Sequence, residues 1–170
     1  MDYKIHNISI DDIEILKKVY NKGVEGRGDD PNNKFNKRTR VGDYNNSLIS
    51  SEKFFCDLYN TELMDIIKKN IPVNSDEYIS NVHYINYKEG EGAIGHVDTG
   101  ASEKTFSILL SDEFEGGEFL LKREHIPFKM GEILQFNGNH FHEIKSVTKG
   151  SREVLIVWLK WNNKNQKSLV

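Results

Sequence analysis

His96-Val97-Asp98, His142 and Arg152 are the residues whose types and order suit them to chemistry in this chain. His96 and Asp98 stand two apart, so an extended backbone sends both side chains out from one face. A neutral imidazole nitrogen beside a carboxylate suits a divalent first-row metal, and a second imidazole would complete a two-histidine, one-carboxylate set. Gly92 and Gly95 let the backbone bend there and keep bulk away from the pair. A histidine two residues before an aspartate is common by chance, so the tripeptide alone carries little weight. The weight comes from its downstream companions, His142 and then Gly150-Ser151-Arg152 leading into the last expected strand.

In that strand Arg152, Val154, Ile156 and Trp158 share one face. A guanidinium in such an apolar row requires an anionic partner if it points inward. In a dry cleft it binds a carboxylate through two parallel hydrogen bonds. For the second imidazole, His140 and His142 are both even-numbered, and strand alternation cannot separate them. Asn137-Gly138 is a strong turn signal, which leaves His140 still in the turn and His142 inside the next strand. A ligand is held more rigidly on a strand, so His142 is the expected one and His140 a rim residue.

The elements that must carry these residues change character along the chain. Residues 3–10 read as a short edge strand. Ser9 with Asp12 reads as a cap, followed by Ile13, Leu16 and Val19 at helical spacing and a stop near Gly23. Residues 21–47 are rich in Asn, Gly, Asp, Lys and Arg, which predicts a long solvated loop, with a mobile flap over a site as the alternative reading. From Ser50 to Asn70 a helical period predicts two short helices broken at Asn60-Thr61 and ended by Pro72. After residue 78 the period becomes two. Eight strands are expected, at 80–87, 93–97, 105–110, 117–121, 126–129, 132–136, 141–147 and 152–160. No helical pattern intervenes, which predicts an antiparallel sandwich or barrel, an all-β core with packed helices. The tail from Asn162 is polar and expected to fray.

The totals narrow the classes. The 170 residues predict a single domain, 1–170, with a helical and loop support over 1–78 and a β core over 79–161. A net charge of −3 argues against a general nucleic-acid binder. No apolar run approaches the roughly 20 residues a membrane helix needs, and the first residues lack the apolar core of a signal peptide. Cys56 is the single cysteine, so no internal disulfide can form. A buried, inert thiol in a helix of a cytoplasmic protein is the expectation. His6, His83 and His125 are read as ordinary surface or strand residues, and Trp158 first as a core aromatic.

From about Ser80 to Trp161 the chain resembles the iron(II)- and 2-oxoglutarate-dependent oxygenases, particularly their prolyl 4-hydroxylase-like branch. The resemblance lies in Tyr87 ahead of a Gly-rich stretch, His96-Val97-Asp98, the Leu110 to Glu118 segment with its Gly116-Gly117, Gly131 to Phe136, and His142 to Arg152. It implies a double-stranded β-helix, or jelly roll, with the N-terminal helices on the major sheet. It further implies iron held by His96, Asp98 and His142, and 2-oxoglutarate anchored by Arg152. Tyr87, and secondarily Trp158, would contact that co-substrate. The implied reaction hydroxylates a prolyl residue of a peptide or protein and releases succinate and carbon dioxide, with ascorbate supportive and a monomer expected. Asp98 stands where halogenating relatives carry a small residue, which favours hydroxylation. Leu109 stands where many prolyl hydroxylases carry tyrosine. Two alternatives differ in class: a hydroxylase of a free amino acid or small metabolite, and a non-catalytic metal-binding cupin-like module. The module would have no use for an inward Arg152.

Overall fold

The computed structural model describes residues 2–20, 37–40, 50–98 and 103–162. Helix α1 (Ile10–Val19) starts where Ser9 Oγ accepts the Asp12 N–H at 3.1 Å, and it buries the expected stripe of Ile13, Leu16 and Val19. Helix α2 (Thr61–Asn70) starts the same way, with Asn60 Oδ1 accepting the Leu63 N–H at 3.2 Å. Asp12 ties the two helices together. Its carboxylate accepts from Asn70 Nδ2 at 3.0 Å and lies 3.0 Å from Lys69 Nζ.

The first of the two helices expected between Ser50 and Asn70 is instead a strand, β3 (Ser50–Phe55). It pairs antiparallel with β4 (Glu77–Tyr87) on one side and with β2 (Lys37–Arg40) on the other. A short apolar run such as Phe54-Phe55 does not distinguish the two periods, and ladder bonds from distant strands decide between them. Cys56 follows that strand rather than sitting in a helix. It is buried, and its N–H bonds the Val82 carbonyl at 2.8 Å. The loop expected over 21–47, and with it the flap alternative, lies outside the described residues apart from the backbone of β2, as do the Gly23 stop and the tail beyond residue 162.

Strand β1 (Tyr3–Asn7) is an edge strand, bonded to β10 (Glu132–Phe136). With β6 (Thr105–Leu109) and β13 (Arg152–Trp161) the large sheet runs β1-β10-β6-β13-β4-β3-β2. A second sheet has the order β5-β11-β8-β9, from Ala93–His96, His142–Ile144, Phe119–Leu121 and Glu124–His125. Strands β7 (Phe114–Gly116) and β12 (Val147–Gly150) form a separate pair. Every pairing of named strands is antiparallel.

Three expected strands are corrected. The 117–121 strand begins only at Phe119, as β8, because Gly116 and Gly117 both take positive φ, 74° and 66°, and separate it from β7. The 126–129 strand does not form. Pro127 cannot join a ladder, and the hairpin partner of β8 is β9, reached through Lys122 and Arg123, both at positive φ. The 141–147 stretch divides at Lys145-Ser146 into β11 and β12.

Alternation along β13 separates two cores. Leu155, Val157 and Leu159 face the helices and pack with Ile13, Leu16, Leu63 and Ile67. Each such fully buried side chain contributes about 1.5–3 kcal/mol. The other face meets the second sheet, where Ile85, Leu109, Leu134 and Val154 pack with Ala93, Phe119, Leu121 and Ile144. Among the described residues no helix is long and apolar enough to cross a membrane.

Candidate active site

β5 and β11 are neighbours, and their register sets His142 directly opposite His96. Asp98 lies just past the end of β5, where its N–H bonds the Gly138 carbonyl at 2.8 Å. That carbonyl belongs to a turn closed by Asn137, whose Oδ1 accepts the Asn139 N–H at 2.9 Å and whose carbonyl accepts the His140 N–H at 3.0 Å. The three side chains converge. His96 Nε2 is 3.3 Å from Asp98 Oδ1, and His142 Nε2 is 3.4 Å from Asp98 Oδ2.

Each imidazole is oriented from behind. His96 Nδ1 donates to the Ile94 carbonyl at 2.7 Å and His142 Nδ1 to the His140 carbonyl at 2.8 Å. A proton fixed on Nδ1 leaves Nε2 as the nitrogen that can ligate. Burial raises the Asp98 carboxyl pKa, but hydrogen bonds from His142 and His96 outweigh it and hold the group well below the usual carboxylate range. With all candidate ligand atoms within 4.8 Å of one another, the trio could hold a metal ion.

The trio lines one cavity of about 100 Å³ together with Tyr87, Ser107, Arg152 and Trp158. Arg152 enters from the start of β13, opposite Tyr87 on β4. Its backbone is clamped by Ser111, whose Oγ donates to the Ser151 carbonyl at 2.9 Å and accepts the Glu153 N–H at 2.8 Å. The side chain is 2% exposed and has no hydrogen-bonding or ion-pair partner among the described residues. The rings of Tyr87 and Phe128 flank the guanidinium at 5.8 and 5.9 Å. Burial lowers the Arg152 pKa to about 10, and burial likewise pushes the Tyr87 phenol up to about 12, so the phenol stays protonated and able to donate.

Gly117 explains the glycine pair. A Cβ there would lie 2.9 Å from Arg152 Cδ, so the position clears room for the arginine side chain. Four contributors are not assigned a role by the sequence. Gly117 is visible there only as part of a motif. Phe128 sits in a segment whose pattern reads as strand. Ser107 is 2% exposed and is the β6 hydroxyl that lines the cavity. The detectable signal is a hydroxyl residue between Phe106 and Ile108 in the middle of a buried strand. His83 lies on β4 as expected, buried and edge-on against Trp158 with centroids 4.2 Å apart. Trp158 is half-buried at the cavity wall, and its Nε1–H donates to Asp98 Oδ2 at 3.4 Å. His140 is turned into a different cavity, with Asp2, Tyr3 and Gln135. His6 is not free at the surface: its Nε2 lies 2.7 Å from Gln135 Oε1. His125 is exposed as expected.

Comparison with known proteins agrees with the resemblance drawn from the motifs. No family model matches the chain. A PKHD-type hydroxylase of Prochlorococcus marinus is 31% identical over 83 residues, 44% of this chain and 38% of that protein. The chain spans less than two thirds of the length of the curated relatives it matches. Among solved structures, a viral collagen prolyl hydroxylase from Paramecium Bursaria Chlorella virus-1, in its 2OG complex, superposes with a TM-score of 0.64 at 16% identity, over 95% of this chain and 97% of that one. A Trichoplax adhaerens prolyl hydroxylase, solved with a hypoxia inducible factor peptide fragment, gives 0.65 at 13% identity, over 99% and 86%. The mostly antiparallel sheets with two helices are therefore the fold of 2OG-Fe(II) oxygenases, a fold shared with prolyl hydroxylases.

Proposed function

We propose that this chain is an iron(II)- and 2-oxoglutarate-dependent oxygenase that hydroxylates a prolyl residue in a peptide or protein, releasing succinate and carbon dioxide. One observation carries the reading. A ligand-competent His96, Asp98 and His142 set shares a cavity with a buried guanidinium that the described residues leave without an anion. Leaving a charge so placed is costly unless a ligand supplies the countercharge, and a dicarboxylate that also reaches the metal does so.

In this reading His96, Asp98 and His142 hold the iron, which when bound supplies the oxidation chemistry through dioxygen and 2-oxoglutarate. Arg152 takes the far carboxylate of the co-substrate by two parallel hydrogen bonds. The Tyr87 phenol and the Ser107 hydroxyl face the same cavity and serve as further donors. Phe119, Phe136, Ile144 and Ile156 make the remaining wall apolar and exclude water from the reacting centre. We read the two facing sheets as a double-stranded β-helix, and residues 1–170 as one domain whose 79–161 core carries the site. A peptide substrate is supported by the Trichoplax neighbour, which was solved with one. The polar 21–47 stretch offers length enough to contact an extended chain.

The test is succinate release from 2-oxoglutarate under iron and ascorbate, with proline-containing peptides screened by mass spectrometry for the gain of one oxygen. Succinate formation that rises with a peptide, together with that mass gain, is the expected outcome. Absence of 2-oxoglutarate binding by the anaerobic metal-loaded protein would overturn the oxygenase reading. Hydroxylation of free amino acids alone would overturn the peptide assignment.

A further inference from the structure

Three nitrogens converge on the two oxygens of Asp98. His96 Nε2 approaches Oδ1 at 3.3 Å, while His142 Nε2 and the Trp158 indole Nε1–H both approach Oδ2 at 3.4 Å. The two imidazole nitrogens are the atoms a metal would claim. The indole differs in kind, because its nitrogen is a donor only and cannot ligate. It is the one partner of Asp98 in this trio that a metal does not displace. Its place is also fixed from several sides. The His83 ring stands edge-on against it at 4.2 Å and 76°, and the Trp158 backbone pairs with Asn81 on β4 and Thr105 on β6. A register shift between Trp158 and Leu159 marks where the ladder to β4 changes step.

We propose that Trp158 is a positioning residue for Asp98: its indole N–H holds Oδ2, so that the carboxylate offers Oδ1 to the metal. This deepens the oxygenase reading and rests on it. A carboxylate restrained through one oxygen loses less freedom when the metal arrives, and it is kept from wrapping both oxygens around the ion. Trp158 thereby acts on the metal through Asp98, which is a different role from contacting the co-substrate.

The experiment compares wild type with Trp158→Phe, which keeps an aromatic ring against His83 and removes the N–H. Anaerobic titration with Co(II) alone should show an affinity about 10-fold weaker in the variant. The Co(II) ligand-field spectrum should shift toward higher coordination, as both Asp98 oxygens become free to bind. At saturating iron, KM for 2-oxoglutarate should change by less than about twofold. Unchanged Co(II) affinity and spectrum would overturn the proposal, and a raised KM with unchanged metal binding would assign Trp158 to the co-substrate instead. A wild type that binds Co(II) but no 2-oxoglutarate would sink the oxygenase reading while leaving the Trp158 comparison intact. If Trp158→Phe does not fold, the indole resonances of ¹⁵N-labelled protein decide. The chain has two tryptophans, and exposed Trp161 serves as the reference. Asp98→Ala should shift the Trp158 indole proton upfield and leave Trp161 in place; two unmoved resonances would overturn the assignment.

Discussion

His142 stands directly across the β5–β11 ladder from His96, with imidazole centroids 4.4 Å apart. Two strands separated by more than forty residues of sequence thus present one nitrogen each to the same carboxylate. His140, two residues earlier, faces Asp2 and Tyr3 in another cavity. His142→Ala should therefore abolish metal binding and turnover, whereas His140→Ala should keep its iron. Anaerobic metal titration of both variants checks this; the reverse pattern would show that the wrong imidazole has been assigned.

Arg152 should weigh against stability while serving function. Replacing it with Met keeps the stem that packs beside Tyr87 and Phe128 and removes a buried charge that has no anionic partner among the described residues. Thermal unfolding of Arg152→Met without co-substrate should match wild type or exceed it by up to about 2 kcal/mol. Its affinity for 2-oxoglutarate should fall by about 100-fold or more, the worth of a charge-assisted two-point contact. A loss of stability comparable to a core truncation would argue that the guanidinium is a structural group.

The glycines before the metal-ligand candidates should not behave alike. A Cβ on Gly92 would lie 2.5 Å from the Ile144 carbonyl oxygen, which is backbone and fixed in the β11 neighbourhood. A Cβ on Gly95 would lie 1.9 Å from Phe141 Cζ, the tip of a side chain that is 39% exposed and free to swing outward. Gly92→Ala should then cost about 2 kcal/mol or more, and Gly95→Ala well under that. Urea unfolding of the two variants provides the comparison, with equal losses counting against a role for the fixed carbonyl.

Asp12 predicts an acid limb of stability that is unrelated to catalysis. Hydrogen bonds from Asn70 and Lys69 hold its carboxyl below the ordinary value of 3.8. A folded-state pKa depressed in this way gives stability that is present above the unfolded value and is lost as pH falls through the folded one. Wild type should thus lose stability on acidification below about pH 4 more steeply than Asp12→Ala, which is already weaker at neutral pH. Urea midpoints between about pH 3 and pH 7 test the slope. Parallel curves for the two proteins would show that the α1–α2 tie contributes nothing through its charge.

What the sequence determined by itself is what local periodicity and residue chemistry can carry. The spacing of His96 and Asp98 puts them on one side of the chain whichever strands surround them. Arg152 is conspicuous because the other residues on its face of the strand, Val154, Ile156 and Trp158, are apolar. The caps at Ser9 and Asn60 are legible because each side chain bonds a backbone group three residues on. The tertiary structure decided everything that depends on which strands become neighbours. β3 is a strand because β2 and β4 flank it, a fact no window around Phe54-Phe55 contains. Gly117 makes way for Arg152, Phe128 flanks it, and Trp158 reaches Asp98 only across gaps of twenty-four to sixty residues. Such contacts arise from long-range antiparallel pairing, whose register is set by burial over a whole face rather than by any segment's own preference.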